Sequence, residues 1–367
     1  MTSRERVAAA LNHELPDRCP MFSSYTPEFA ARLTGHLSGK TGEGHNPHGG
    51  GNTYDLERAL GIDILATSIG WANNYYAGDR YNPGADHYTD DWGVGWKNTA
   101  YKTQFGDGIY TEIEGHPLED DDAISSYKAP DPEREELYTD AASTLKNFQK
   151  DYFIVGSTMT TIFETAWALR GLENMLMDFV EDPDLASEIL DIPLEYHRAV
   201  TKRLVSMGVD MVWLGDDIGA QHSMFISPDT WRQFLKPRMA GLISDLKGIN
   251  PNLKIVYHTD GCVYPVIPEL IEIGVDILNP IQPASMDPAR LKKEYGDRLC
   301  FWGSVDEQHT LPFGSVDDVK NEVVERIQTL GASGGLIISP THHVQLDTPI
   351  ENYEAFISTV KNTPCQP

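Results

Sequence analysis

Short apolar runs recur along the chain at intervals filled by amphipathic stretches, and that rhythm predicts buried parallel strands alternating with helices. The runs fall at 19–23, 61–68, 152–157, 209–215, 254–257, 275–279, 299–303 and 336–339. Each is rich in β-branched or aromatic residues, as Lys-Ile-Val-Tyr at 254–257 illustrates. Eight strands alternating with helices predict an α/β fold, a single (β/α)8 TIM barrel. An open doubly wound sheet is the competitor, but no Gly-x-Gly-x-x-Gly turn follows the first run.

Helix starts are marked as well. Asp182-Pro183, Ser227-Pro228, Asp287-Pro288 and Thr348-Pro349 each place a capping side chain before a proline, and Glu351 completes a capping box with Thr348. Val319, Val323, Val324, Ile327 and Leu330 recur at helical spacing, with Gly331 as a stop. Thr2 or Ser3 caps an N-terminal helical extension that runs to about Leu11.

Two segments break the rhythm. The glycine-rich stretch 42–51 is a loop whose His45 and His48 read as solvated. Residues 71–129 are rich in Tyr, Asp and Gly and alternate in places, as β-hairpins do. Inserted after the second strand, this segment (72–129) sits at the C-terminal mouth of the barrel as a lid. The whole chain, 1–367, is thus expected to be one barrel domain.

Composition narrows the partners. The net charge of -26, from 55 acidic and 29 basic side chains, repels phosphate backbones and anionic lipid, so neither nucleic acid nor a membrane surface is expected. Cys19, Cys262, Cys300 and Cys365 have no Cys-x-x-Cys spacing and suggest no disulfide framework. With no run near the length of a membrane span and a charged, short apolar start, a cytoplasmic protein is expected.

In a barrel of this kind the chemistry gathers at the C-terminal ends of the strands. At the end of the fifth run, His258, Asp260 and Cys262 stand at every second position, and extended chain turns such residues to one side. Across the mouth, after the eighth run, come His342 and His343. His258 and His342 together with Asp260 or Cys262 make a three-ligand site of the catalytic zinc type, with a position left open. The metal-free alternative pairs His258 with Asp217 as acid and base and leaves His342 to the substrate. Of Asp216 and Asp217, only one faces the mouth, because consecutive residues on extended chain point opposite ways. Tyr25, Gln282 and His343 are the expected substrate contacts, while Trp213 and Trp302 read as core.

Three stretches carry a family resemblance. They are 2–18 (Thr-Ser-Arg-Glu-Arg-Val through Pro-Asp-Arg), Gly-Asp-Asp-Ile-Gly at 215–219 followed by Ile-Ser-Pro at 226–228, and Val-Asp-Ile-Leu-Asn-Pro-Ile-Gln at 275–282. As a set they resemble the uroporphyrinogen decarboxylase superfamily, over nearly the whole chain. The resemblance implies a single α/β barrel and one of two activities: porphyrinogen decarboxylation, or methyl transfer to or from a corrinoid on a partner protein. The decarboxylase branch is expected to carry Arg-Gln-Ala-Gly-Arg near the first strand. Here Met-Phe-Ser-Ser-Tyr-Thr stands at 21–26, without cations for a polycarboxylate.

The methyltransferase branch often carries His-x-Cys-Gly and a later Cys as zinc ligands. His258 matches the His, Asp260 stands in place of the first Cys, and His342 stands near the second. A carboxylate and an imidazole donate less charge than two thiolates, so zinc held here remains a stronger Lewis acid, suited to an oxygen. The resemblance then implies a metal-assisted methyltransferase that moves a methyl group from a small O-methylated donor, a methyl ether or a methoxyaromatic, to cobalamin on a corrinoid protein. A homodimer is compatible with it. A non-catalytic ligand-binding barrel is the reading from a different class.

Overall fold

Seven of the eight apolar runs become strands of one parallel sheet. The computed structural model of the chain describes residues 1–38, 53–69, 86–158 and 160–365, so His45, His48 and positions 72–85 of the expected lid lie outside the described residues. The strand β1 (Ile64–Ser68) is followed by a three-stranded antiparallel sheet of β2 (His87–Thr89), β3 (Gly95–Thr103) and β4 (Gly106–Gly115). Then come β5 (Phe153–Ser157), β6 (Met211–Gly215), β7 (Lys254–His258), β8 (Ile277–Asn279), β9 (Cys300–Val305) and β10 (Leu336–Pro340). The parallel strands pair in chain order, β1-β5-β6-β7-β8-β9-β10, as successive βα units require.

The run at 19–23 does not become a strand. Pro20 lacks an N–H, and the Met21 N–H goes to the Asp63 carboxylate at 2.8 Å instead of a ladder carbonyl. What remains is a one-residue parallel bridge from Met21 to Ile338. The segment nevertheless ties both edges of the sheet. Ile338 N–H donates to Pro20 O at 2.9 Å, and Asp63 N–H, at the foot of β1, donates to Met21 O at 3.0 Å.

Alternation along the strands sorts the apolar residues into two cores. One set packs on the surrounding helices. The other, including Ile64, Phe153, Met211, Val256, Ile277, Trp302 and Ile337, forms an inner cluster closed by Val7 and Leu11 of the helix Ser3–Leu11. Thr2 caps that helix and shares a capping box with Glu5. From the same helix Arg6 reaches Asp63 at 2.6 Å, and Arg18 reaches it at 2.7 Å.

Asp182, Ser227 and Asp287 cap helices as expected. Thr348 does not. Its hydroxyl donates to Glu307 at 3.4 Å, and the last helix, Ile350–Asn362, starts without a side-chain cap. Among the described residues, no helix is long and apolar enough to cross a membrane.

His197, on the helix Pro183–Met207, is fully buried against Trp92, with ring centroids 6.1 Å apart. Burial pushes its imidazole down to about 3. The unfolded chain therefore binds a proton that the native state does not, over the range from about 6.5 down to about 3, and stability is lost as pH falls through that window. Denaturant unfolding at pH 7.5 and pH 5 is expected to show a smaller loss in His197→Phe than in the parent, by about 2 kcal/mol. Equal losses in the two proteins contradict this.

Candidate functional site

At the C-terminal ends of the parallel strands the inward positions change from apolar to polar, and a cavity of about 320 Å³ opens there, within the size range of small-molecule sites. Its floor is aromatic. Trp302 meets Phe22 edge-on at 4.9 Å and Trp213 edge-on at 5.1 Å, and the His258 ring stacks on Trp213 at 5.3 Å. The antiparallel sheet supplies one wall through Tyr101 and 109–111. These residues belong to the segment 72–129.

His258, the last residue of β7, is oriented by its neighbour on β8. Asn279 donates through Nδ2 to Trp302 O at 3.3 Å, which turns its Oδ1 toward the ring, where it accepts from His258 Nδ1 at 2.6 Å. The Nδ1 position therefore carries the hydrogen, and the Nε2 lone pair faces the other way. There it meets Asp217 Oδ1 at 3.8 Å, too long for a hydrogen bond. Asp217, His258 and Asp260 each offer a ligand atom, all within 4.8 Å of one another.

Backbone packing makes this convergence possible. The loops after β6 and β7 lie against each other, and Asp260 N–H donates to Asp217 Oδ1 at 2.7 Å. A Cβ on Gly261 would lie 2.6 Å from Ala220 O, and its φ of 80° suits glycine. That residue also breaks the expected alternation. Because β7 ends at His258 and the chain turns at Gly261, Cys262 leaves the mouth, packs against the core and donates its N–H to Ala220 O at 2.8 Å. Cys262 is not among the grouped ligand atoms.

The two consecutive aspartates divide as alternation requires. Asp216 is buried and accepts from the backbone of Ile162 and Glu164 at the start of the helix Phe163–Arg170, while Asp217 lines the cavity. Burial pushes the Asp216 carboxyl up to about 7 against those donors. Burial also raises Asp260, which His342 and His258 counter and Asp217 reinforces. The Asp260 Oδ1 atom is buried without a hydrogen-bond partner among the described residues, an arrangement costly for a carboxylate unless something cationic takes it up.

His342 and His343 line the cavity with their rings edge to face at 4.8 Å. His342 acts on Asp260 electrostatically but stands outside the group of three. Two expected substrate contacts lie elsewhere. Tyr25 is fully buried, its hydroxyl 2.6 Å from that of Tyr353, and Gln282 accepts from Gly261 N–H at 2.6 Å, holding the turn.

Sequence reasoning missed Glu164 and Glu57, both in the lining. Glu164 follows β5 and accepts from Asp217 N–H at 3.0 Å. Burial, then Asp217 and Asp216, push its carboxyl well above the usual range. It stands in the first turn of a helix, where an acidic residue reads as ordinary dipole complementation. Its place just past a strand end was the available signal.

The donor set suits a hard or borderline divalent ion: two carboxylates and a neutral imidazole, one carboxylate oxygen orphaned. The comparisons agree with the fold. Residues 98–363 match the family described as uroporphyrinogen decarboxylase (URO-D). A methylcobamide:CoM methyltransferase MtaA of Methanosarcina barkeri is 27% identical over 180 residues, 49% of each chain. A uroporphyrinogen decarboxylase of Trichodesmium erythraeum is 25% identical over 179 residues, 49% of this chain and 48% of that one. The chain thus spans about half the length of the curated relatives it matches. A solved methyltransferase from Methanosarcina mazei superposes over 99% of both chains with a TM-score of 0.70 at 20% identity, a likeness of fold.

Proposed function

Because the chain belongs to the uroporphyrinogen decarboxylase family, we propose that it is a corrinoid-dependent methyltransferase of that family, taking a methyl group from a small methoxyarene and passing it to cobalamin on a partner corrinoid protein. The carrying observation is the Asp217, His258 and Asp260 cluster at the rim of an aromatic cavity. Relatives of both activities match at similar identity, so the choice between branches rests on the site. A porphyrinogen polycarboxylate needs cations, and the described lining contains no Lys or Arg.

His258, Asp217 and Asp260 are the residues that would hold zinc. When bound, zinc supplies a Lewis acid for the leaving oxygen and the corrinoid supplies the nucleophile. The protein's own residues do the rest. Asn279 keeps the His258 Nε2 lone pair turned toward the two carboxylates. Trp213, Trp302 and Phe22 offer apolar faces to a ring, and Tyr101 and Tyr110 screen it from water. We take positions 1–367 as one closed barrel unit with 72–129 as its lid, working in the cytoplasm.

The test is methylcobalamin formation. Zinc-loaded protein, mixed with cob(I)alamin and methoxylated aromatics, forms methylcobalamin and releases the phenol. Absence of transfer from every methoxyarene, with turnover of a porphyrinogen instead, overturns the reading.

A further inference from the structure

Two features of the cavity bear on the charge of what it accepts. Its described lining carries the carboxyl groups of Glu57, Glu164 and Asp217 but no Lys or Arg. Its floor is built from the aromatic side chains of Phe22, Trp213 and Trp302, which carry no net charge.

We propose that the site selects methyl donors by charge, accepting uncharged or cationic methoxyarenes and rejecting those that carry a carboxylate. The inference rests on the methyltransferase reading and narrows its substrate class. A ring carboxylate entering this cavity without zinc leaves water, finds no Lys or Arg in the described lining, and faces the carboxyl groups of Glu57 and Asp217. The groups in the lining that can become cationic are imidazoles, His258, His342 and His343. The net charge of -26 adds long-range repulsion of anions. A protonated amine or amidine meets the opposite situation, with aromatic side chains below it and carboxyl groups beside it.

An isosteric series separates charge from shape: 4-methoxybenzamide, 4-methoxybenzamidine and 4-methoxybenzoate. Quenching of tryptophan fluorescence reports binding, because Trp213 and Trp302 line the cavity. Titrations at pH 8, where an ordinary imidazole is uncharged, are run on EDTA-treated protein. The expected result is that the amide and the amidine bind at least about tenfold more tightly than the benzoate, a gap readily produced by one unpaired buried charge. The gap narrows in Glu57→Gln. Benzoate binding as tight as the amide, or no binding of any of the three, overturns the proposal. Methyl transfer is measured on the same series. If the binding order holds without transfer from any member, charge selection stands and the methyltransferase reading falls. If the benzoate binds and reacts as readily as the amide, charge selection falls and methyl transfer stands.

Discussion

Replacing His258 with alanine is expected to lower methylcobalamin formation by about a hundredfold to ten-thousandfold, the loss typical when a directly acting group is removed. The imidazole is the one neutral donor of the cluster and the one held in a defined tautomer, through Asn279 Oδ1 at 2.6 Å. Without it, Asp217 and Asp260 remain as two carboxylates at close quarters, and cation affinity drops with turnover. Asn279→Ala keeps the ligand but frees the ring, so its loss is expected to be smaller, about tenfold to a hundredfold. Cys262→Ser is expected to change nothing, because that side chain has turned into the core. In a non-catalytic binding barrel, His258→Ala alters only ligand affinity. Parallel loss of zinc and of rate in His258→Ala separates the two readings, and full activity in that variant refutes the assignment.

The largest expected effect on stability belongs to Asp63. Its carboxylate is fully buried and accepts from Arg6 at 2.6 Å, Arg18 at 2.7 Å and the Met21 N–H at 2.8 Å. Through these bonds one side chain joins the N-terminal helix, the 20–22 segment and the foot of β1. Removing one partner of a buried ion pair strands the others, at a cost of about 3–5 kcal/mol. Asp63→Ala is expected to lose that much in denaturant unfolding. Asp63→Asn is expected to lose nearly as much, because shape is kept but charge is not. Arg6 retains Asp17, and Arg18 retains the carbonyls of Cys19 and Gly61, which limits the damage. A loss below about 1 kcal/mol contradicts the role given to Asp63 in tying the two edges of the sheet.

The strands were legible because burial on both faces of a parallel sheet demands continuous apolar runs, and 211–215, 254–258 and 300–305 have them. Where a side chain took over a backbone partner, the pattern misled. Cys19 to Ser23 looks like a strand, but Asp63, 42 residues from Met21, claims its N–H. Thr348 looks like a helix cap, but its hydroxyl serves Glu307.

The site shows the same division. Asp216 and Asp217, just past the end of β6 at Gly215, separated as alternation predicts, one buried and the other lining the cavity. Cys262 did not follow His258 and Asp260, because Gly261 reverses the chain. Trp213 and Trp302, which the sequence places in the core, are both core and cavity floor. Inward positions of a barrel serve as packing at one height and as binding surface at the next. Glu57 comes from a helix, Asp55–Leu60, that precedes β1, and no local pattern tied it to the mouth.

The guest of this mouth is expected to be an ion held by oxygen and nitrogen, without sulfur. X-ray absorption at the zinc edge of the loaded protein tests it directly. The expected spectrum contains only light scatterers at about 2.0–2.2 Å, from His258, Asp217 and Asp260 with solvent or substrate completing the shell. A sulfur scatterer at about 2.3 Å, which means Cys262 has returned to the site, contradicts the account.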